Sequence, residues 1–141
     1  MKTSKILVAA SGNSADEEAI RLACDLARKS KAKVYVAYVI EVKRSLPLDA
    51  AIESETRKAE EVLTRAEDIA ADQDYEVETD LIQAREAGSA IVDEAMRRDA
   101  DLILMGVVYK KHFGVFNMGS VVPYVLKEAP CHVILCREPI S

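Results

Sequence analysis

The sequence predicts an α/β domain built on one open, parallel, five-stranded sheet with helices on both faces. Short runs of aliphatic and β-branched residues alternate with longer segments of helical period. Three of the five runs are apolar almost throughout, as strands covered on both faces should be. A length of 141 residues is that of one domain, residues 1–141. A composition of 50% hydrophobic and 30% charged residues excludes disorder and collagen-like structure.

The elements follow in order. Lys5–Ala10 (KILVAA) reads as the first strand. The segment Ser14–Ser30 then carries an apolar stripe at Ala19, Ile20, Ala23, Leu26 and Ala27, with acids in its first turn and Arg28 and Lys29 in its last, as a helix dipole favours. Lys33–Val39 (KVYVAYV) is the second strand, on which Tyr35 and Tyr38, three residues apart, point to opposite faces as core and sheet-cover residues. From about Asp49 to Asp72 an amphipathic helix exposes a charged face to solvent. Tyr75–Ile82 alternates Val77, Thr79 and Leu81 with acids, the pattern of an edge strand. A third helix carries Ile91, Val92, Ala95 and Met96 and closes at Arg97 and Arg98; Asp101–Met105 is the fourth strand. The fourth helix opens at Ser120 as N-cap and runs to about Glu128, with Pro123 tolerated in its first turn, and Cys131–Cys136 is the last strand.

Several function classes are excluded. The charge sum of 19 basic and 24 acidic residues is −5, which opposes phosphate-backbone binding, and with two Phe and no Trp an aromatic stacking platform is not expected, so nucleic acid is not the partner. No run reaches the ~18–20 apolar residues of a membrane span, and MKTSKILVAASG lacks a signal-peptide core. The chain reads as cytoplasmic, with no membrane insertion. Cys24, Cys131 and Cys136 form neither a disulfide framework nor a zinc pair and read as small hydrophobes, the last two on opposite faces of their strand. The sequence contains neither a P-loop nor G-x-G-x-x-G after the first strand, and Ser11 lacks the G-x-S-x-G elbow of a hydrolase. His112 and His132 are the only imidazoles; His132, in the last strand, reads as a half-buried or interface residue. No catalytic residue is assigned and no metal-binding set is expected.

Ligands of open α/β sheets bind at the carboxyl ends of the strands, where strand order reverses. The candidate positions are therefore Ala9–Ser14, Val39–Ile40 and Gly106–Ser120, the last leading straight into a helix whose first N–H groups favour an anion. The long connections Ile40–Leu48 and Val107–Met118 are where function is expected to sit.

At residues 6–12 (ILVAASG), 100–106 (ADLILMG) and 119–138 (GSVVPYVLKEAPCHVILCRE) the sequence resembles the universal stress protein family, and the resemblance extends over essentially the whole chain. It implies strand order 3-2-1-4-5, a homodimer formed largely through the fifth strand (residues 131–137), and ATP or AMP held over strands one and four. Carried over by position, the adenosine side would involve Ala9, Ser11 and Val39. The phosphates would meet Met105, Gly106, Gly119, Ser120, Val121 and Val122. The signature G-x2-G-x9-G-[ST] of the nucleotide-binding branch is met at Gly106, Gly119 and Ser120, with Tyr109 in place of its second glycine.

Three positions depart from the nucleotide-binding pattern. Ser11 stands where an Asp is usual and offers one short hydroxyl in place of two acceptor oxygens, a loss of ~1–2 kcal/mol. Tyr109 forbids the close backbone approach that glycine permits in a phosphate loop. Val122 replaces a hydroxyl donor, although backbone N–H groups remain. Lys110, Lys111 and His112 put positive charge into the same loop, either as phosphate-compensating groups or as a solvated tip. His132 takes a position where proline is common in the family.

Two readings stand beside each other. In one, the protein is a stress-response regulator that binds an adenine nucleotide and signals to a protein partner. In the other, Tyr109 plugs the cleft and the dimer is a nucleotide-free interaction module. Slow ATP hydrolysis is a distant third.

Overall fold

The computed structural model describes residues 3–108, 111–112, 115–116 and 119–139. The element order is β1 (Lys5–Ala10), α1 (Asp16–Ser30), β2 (Lys33–Glu41), α2 (Glu53–Asp72), β3 (Glu78–Ala84), α3 (Ala87–Arg97), β4 (Leu102–Val107), β5 (Lys111–His112), β6 (Val115–Phe116), α4 (Val121–Glu128) and β7 (His132–Arg137). The main sheet has five strands in the order β3-β2-β1-β4-β7, every pair parallel. In order of appearance within that sheet this is 3-2-1-4-5, the order the family resemblance implies.

Period-two alternation distributes the core over two layers. Ile6, Val8 and Ala10 of β1 and Leu102 and Leu104 of β4 face α1 and α2, meeting Ile20, Ala23, Leu63 and Ile69. Leu7 and Ala9 with Ile103 and Met105 face α3 and α4, meeting Ile91, Ala95, Val122 and Val125. Both central strands are covered on both sides, which is why they read as continuous apolar runs. Tyr38 belongs to the first layer and Tyr35 to the second. The two strand cysteines divide the same way, Cys136 packing on the first layer and Cys131 on the second.

The boundaries differ from the sequence expectation where tertiary contacts intervene. The third strand starts at Glu78, not Tyr75, and runs on to Ala84 because β2 continues to Glu41 and pairs with it. The Tyr75 side chain instead packs on the first layer, and its hydroxyl donates to the Ala32 carbonyl. The second helix begins at Glu53 rather than Asp49, because Ala50 N–H closes a turn onto Pro47. The long connection Val107–Met118 contains an antiparallel pairing of Lys111 with Phe116 and of His112 with Val115. Ser120 occupies the N-cap position of α4, but its hydroxyl makes no capping hydrogen bond. His132 is exposed at the start of the edge strand β7, not half-buried.

Polar groups hold the periphery. Glu94, 3% exposed, accepts hydrogen bonds from Arg97 and Arg98, both of which also bond Asp80 on the edge strand β3. The Arg98 guanidinium lies over the Tyr35 ring, 4.6 Å from its centroid. Burial pushes the Glu94 carboxyl above its usual range, and its hydrogen bond with Asp80 acts in the same direction. Asp80 is held low by that hydrogen bond and then by the two guanidinium groups.

Candidate functional site

β1 is flanked by β2 on one side and β4 on the other, so the chain winds in opposite directions from it and a crevice opens over the carboxyl ends of these strands. The crevice is a cleft of about 1070 Å³. Ala9 sits at its base between Ala37 and Met105 in the strand register. Ala9, Ser11 and Val39 line one part of the cleft, and Met105, Gly106, Gly119, Ser120, Val121 and Val122 another. Nine positions taken from four separate stretches of sequence therefore converge on one cavity. Tyr109 and Lys110 lie outside the described residues, and Lys111 is described only as part of β5.

The turn after β1 is organised by Asp16. Its carboxylate reaches back to accept the N–H groups of Ser11 (3.1 Å) and Gly12 (2.8 Å), satisfying donors that the end of β1 leaves unpaired. Gly12 takes φ +82°, a conformation side chains resist. Burial raises the Asp16 pKa above 3.8, opposed by these same backbone bonds. Asn13 Oδ1 accepts the Ala15 N–H at 2.9 Å, starting α1 with a side-chain turn. Its Nδ2 donates to the Ser11 hydroxyl at 2.7 Å, which fixes that hydroxyl at the cleft rim. Ser11 thus presents an oriented hydroxyl, although it has one oxygen where a carboxylate has two.

The opposite wall starts at Gly106. A Cβ there would lie 2.5 Å from the carbonyl oxygen of Ala15, so glycine lets β4 approach the start of α1. Gly119 is different: at φ +72°, no atom of the described residues lies within 4 Å of a hypothetical Cβ. The first backbone hydrogen bond of α4 runs from Tyr124 N–H to Ser120, so the N–H groups of Val121 and Val122 precede the hydrogen-bonded turns, and Pro123 has none to offer. Val122 is buried with Val125 in the second core layer. Its side chain serves packing, and its contribution to the cleft is backbone and one apolar edge.

Further lining residues lie outside the family motifs, although Asn13 falls in the candidate stretch Ala9–Ser14 and Glu41, Lys43 and Leu46 in the long connection Ile40–Leu48. Asn13, Glu41, Lys43, Leu46, Ile52, Glu55, Ala87 and Ile91 also face the cleft. Asn13 comes from the β1–α1 turn, Glu41 from the end of β2, Lys43, Leu46 and Ile52 from the β2–α2 connection, Glu55 from the start of α2, and Ala87 and Ile91 from the first half of α3; the fold gathers them around β1 and β4. Asn13 had a local signal, an Asn three residues before the start of a helix. Glu41 accepts the Ala87 N–H at 2.8 Å and so caps α3 from another strand, which no sequence spacing announces.

The lining combines apolar Ala9, Val39 and Met105 with the Ser11 hydroxyl and the backbone of Gly119–Val122 at the α4 N-terminus. Among the described residues no group of three His, Cys, Asp or Glu is arranged to hold a metal ion. No described helix is long and apolar enough to cross a membrane.

The comparisons with known proteins agree with this architecture. A universal stress protein of Methanocaldococcus jannaschii is 31% identical, the match covering 96% of this chain and 82% of that protein. The structure of a universal stress protein from Archaeoglobus fulgidus superposes with a TM-score of 0.76 at 27% identity, covering 94% of this chain and 92% of that one. An Archaeoglobus fulgidus universal stress protein in complex with dAMP matches at 26% identity and a TM-score of 0.76, covering 96% and 98%. The family model for universal stress proteins matches residues 2–137. With the strand order, the switch-point cleft and a match spanning nearly every residue in agreement, the chain belongs to the universal stress protein family.

Proposed function

We propose that this protein is a regulatory adenine-nucleotide-binding domain that takes ATP or AMP in the cleft over β1 and β4. One observation carries the reading: Ala9, Ser11, Val39, Met105, Gly106, Gly119, Ser120, Val121 and Val122 line a single cavity at the switch point of the sheet. The base lies toward Val39, the sugar meets Ser11, and the phosphates meet Gly119 and the N–H groups of Val121 and Val122. The relative with dAMP bound supports an adenine monophosphate as a ligand of this fold at 26% identity. Lys110 and Lys111 supply charge where Tyr109 interrupts the signature. The role is binding and signalling, not catalysis, within the cytoplasm.

The signal passes through a homodimer built on β7 and onward to a protein partner. β7 is an edge of the sheet, its Val133 and Leu135 are half-buried, and α4 on the same face exposes Tyr124 and Leu126.

The test is mass spectrometry of small molecules released from freshly purified, denatured protein, together with calorimetric titration by ATP, ADP and AMP. A co-purified or titratable adenine nucleotide near one per chain is expected. Empty protein that also fails to titrate overturns the reading in favour of a nucleotide-free module closed by Tyr109.

A further inference from the structure

The β2–α2 connection forms one wall of the cleft through Lys43, Leu46 and Ile52, yet it has little core to rest on, since Leu46 and Leu48 are 37% and 47% exposed. Polar bonds from one neighbour hold it instead. Gln83 and Arg85, two residues apart and so on the same side of the chain at the end of β3, both reach into it. Gln83 Nε2 donates to the carbonyls of Leu48 (3.0 Å) and Ala50 (2.9 Å). Arg85 Nη1 donates to those of Lys43 (2.6 Å) and Leu46 (2.9 Å), with Val42 at 3.4 Å.

Five carbonyls of one connection are thus gathered by two side chains. Two turns inside it, Leu46 N–H to Lys43 and Ala50 N–H to Pro47, present those carbonyls toward β3. None of the ion pairs among the described residues uses Arg85, whereas Arg97 and Arg98 at the end of α3 are committed to acids. A cationic donor bonded to backbone oxygens is stronger than a neutral one, and it freezes main chain rather than another mobile side chain.

We infer that Gln83 and Arg85 are positioning residues for the nucleotide: they hold the β2–α2 connection as a preformed wall, so that binding does not have to order it. This rests on the nucleotide reading above and adds residues that touch no ligand. Loop ordering opposes affinity, and a wall already in place reduces that cost, chiefly by slowing dissociation.

The experiment compares wild type with Arg85→Ala, Arg85→Lys and the milder Gln83→Ala in two measurements. Amide hydrogen exchange without ligand is expected to speed up at Leu46 and Ala50 in Arg85→Ala, while the amides of β1 and β4 keep their protection and so report an intact fold. Titration and stopped-flow release of AMP and ATP are expected to show affinity reduced by about tenfold, mostly in the off-rate, with Arg85→Lys recovering part of it. Faster exchange with unchanged affinity overturns the positioning role and leaves the functional reading standing. Unchanged exchange at residues 43–50 in both Arg85→Ala and Gln83→Ala overturns the stapling itself. Wild type that takes up no adenine nucleotide overturns the functional reading and this proposal with it.

Discussion

Gly106 faces the main chain of Ala15 so closely that a methyl group on it would sit 2.5 Å from the Ala15 carbonyl oxygen and 2.7 Å from its carbon. The contact joins the end of β4 to the entrance of α1, the two elements that frame the cleft. The first glycine of the phosphate-loop signature is therefore required by packing before any ligand is considered. Gly106→Ala is expected to lower stability by about 1–3 kcal/mol through overpacking against backbone. Gly119→Ala, with no atom of the described residues within 4 Å of the new methyl, should cost ~1–2 kcal/mol for its left-handed conformation. Urea unfolding of both variants without nucleotide checks this, and Gly119→Asn, which tolerates that conformation better, should recover part of the second loss but not of the first.

Asp16 makes two bonds that both need an acceptor, from Ser11 and Gly12. An amide has one acceptor oxygen and a donor nitrogen, so Asp16→Asn sets N–H against N–H at one of them. A loss of about 1–3 kcal/mol is expected. Equal chemical-denaturation midpoints for the two proteins would show that the carboxylate does not organise the turn.

Glu94 gives stability a pH dependence with a definite sign. Its folded-state pKa is raised above the usual 4.5, so the stabilising contribution is fully present below 4.5 and is lost as pH rises through the folded value. Asp80, held low, acts in the opposite sense and only below 3.8. As pH rises above 4.5 the unfolding free energy of wild type should therefore decline relative to Glu94→Gln. Parallel profiles across that range would rule the linkage out.

For the loop cations, Lys110→Ala combined with Lys111→Ala is expected to weaken ATP binding by about 0.5–2 kcal/mol, with a smaller effect on AMP, which carries less charge. The slope of log affinity against log salt should become shallower. Calorimetry at two or three ionic strengths reads both quantities, and unchanged affinity removes the lysines from phosphate recognition.

For assembly, sedimentation at micromolar concentration should give a dimer, and Leu126→Glu, which puts charge on the exposed face of α4, should shift it toward monomer. A wild-type monomer contradicts the β7 interface.

Much of this molecule was present in its one-dimensional pattern. Alternation between apolar runs and helical stripes announced five parallel strands and four helices, because side-chain burial has period two in one and 3.6 in the other. The family resemblance supplied the strand order and the nine residues that meet in the cleft. Local reading failed where partners are distant in sequence. Tyr75 looked like strand and is a packing residue tied to Ala32, Glu94 gave no sign in the sequence of its burial beside two arginines, and Gly106, which lines the cleft, also spaces β4 from Ala15.

Periodicity along the chain, governed by how each residue type partitions between water and interior, determined the class of fold and its layers. The wall of the cleft was decided only in three dimensions. Gln83 and Arg85 meet the carbonyls of residues 42–50 because β3 pairs with β2 in one register, bringing donors and acceptors together across 33 to 43 positions of sequence. Hydrogen bonds to backbone carbonyls leave no signature in the identity of the accepting residues, since every residue carries the same acceptor.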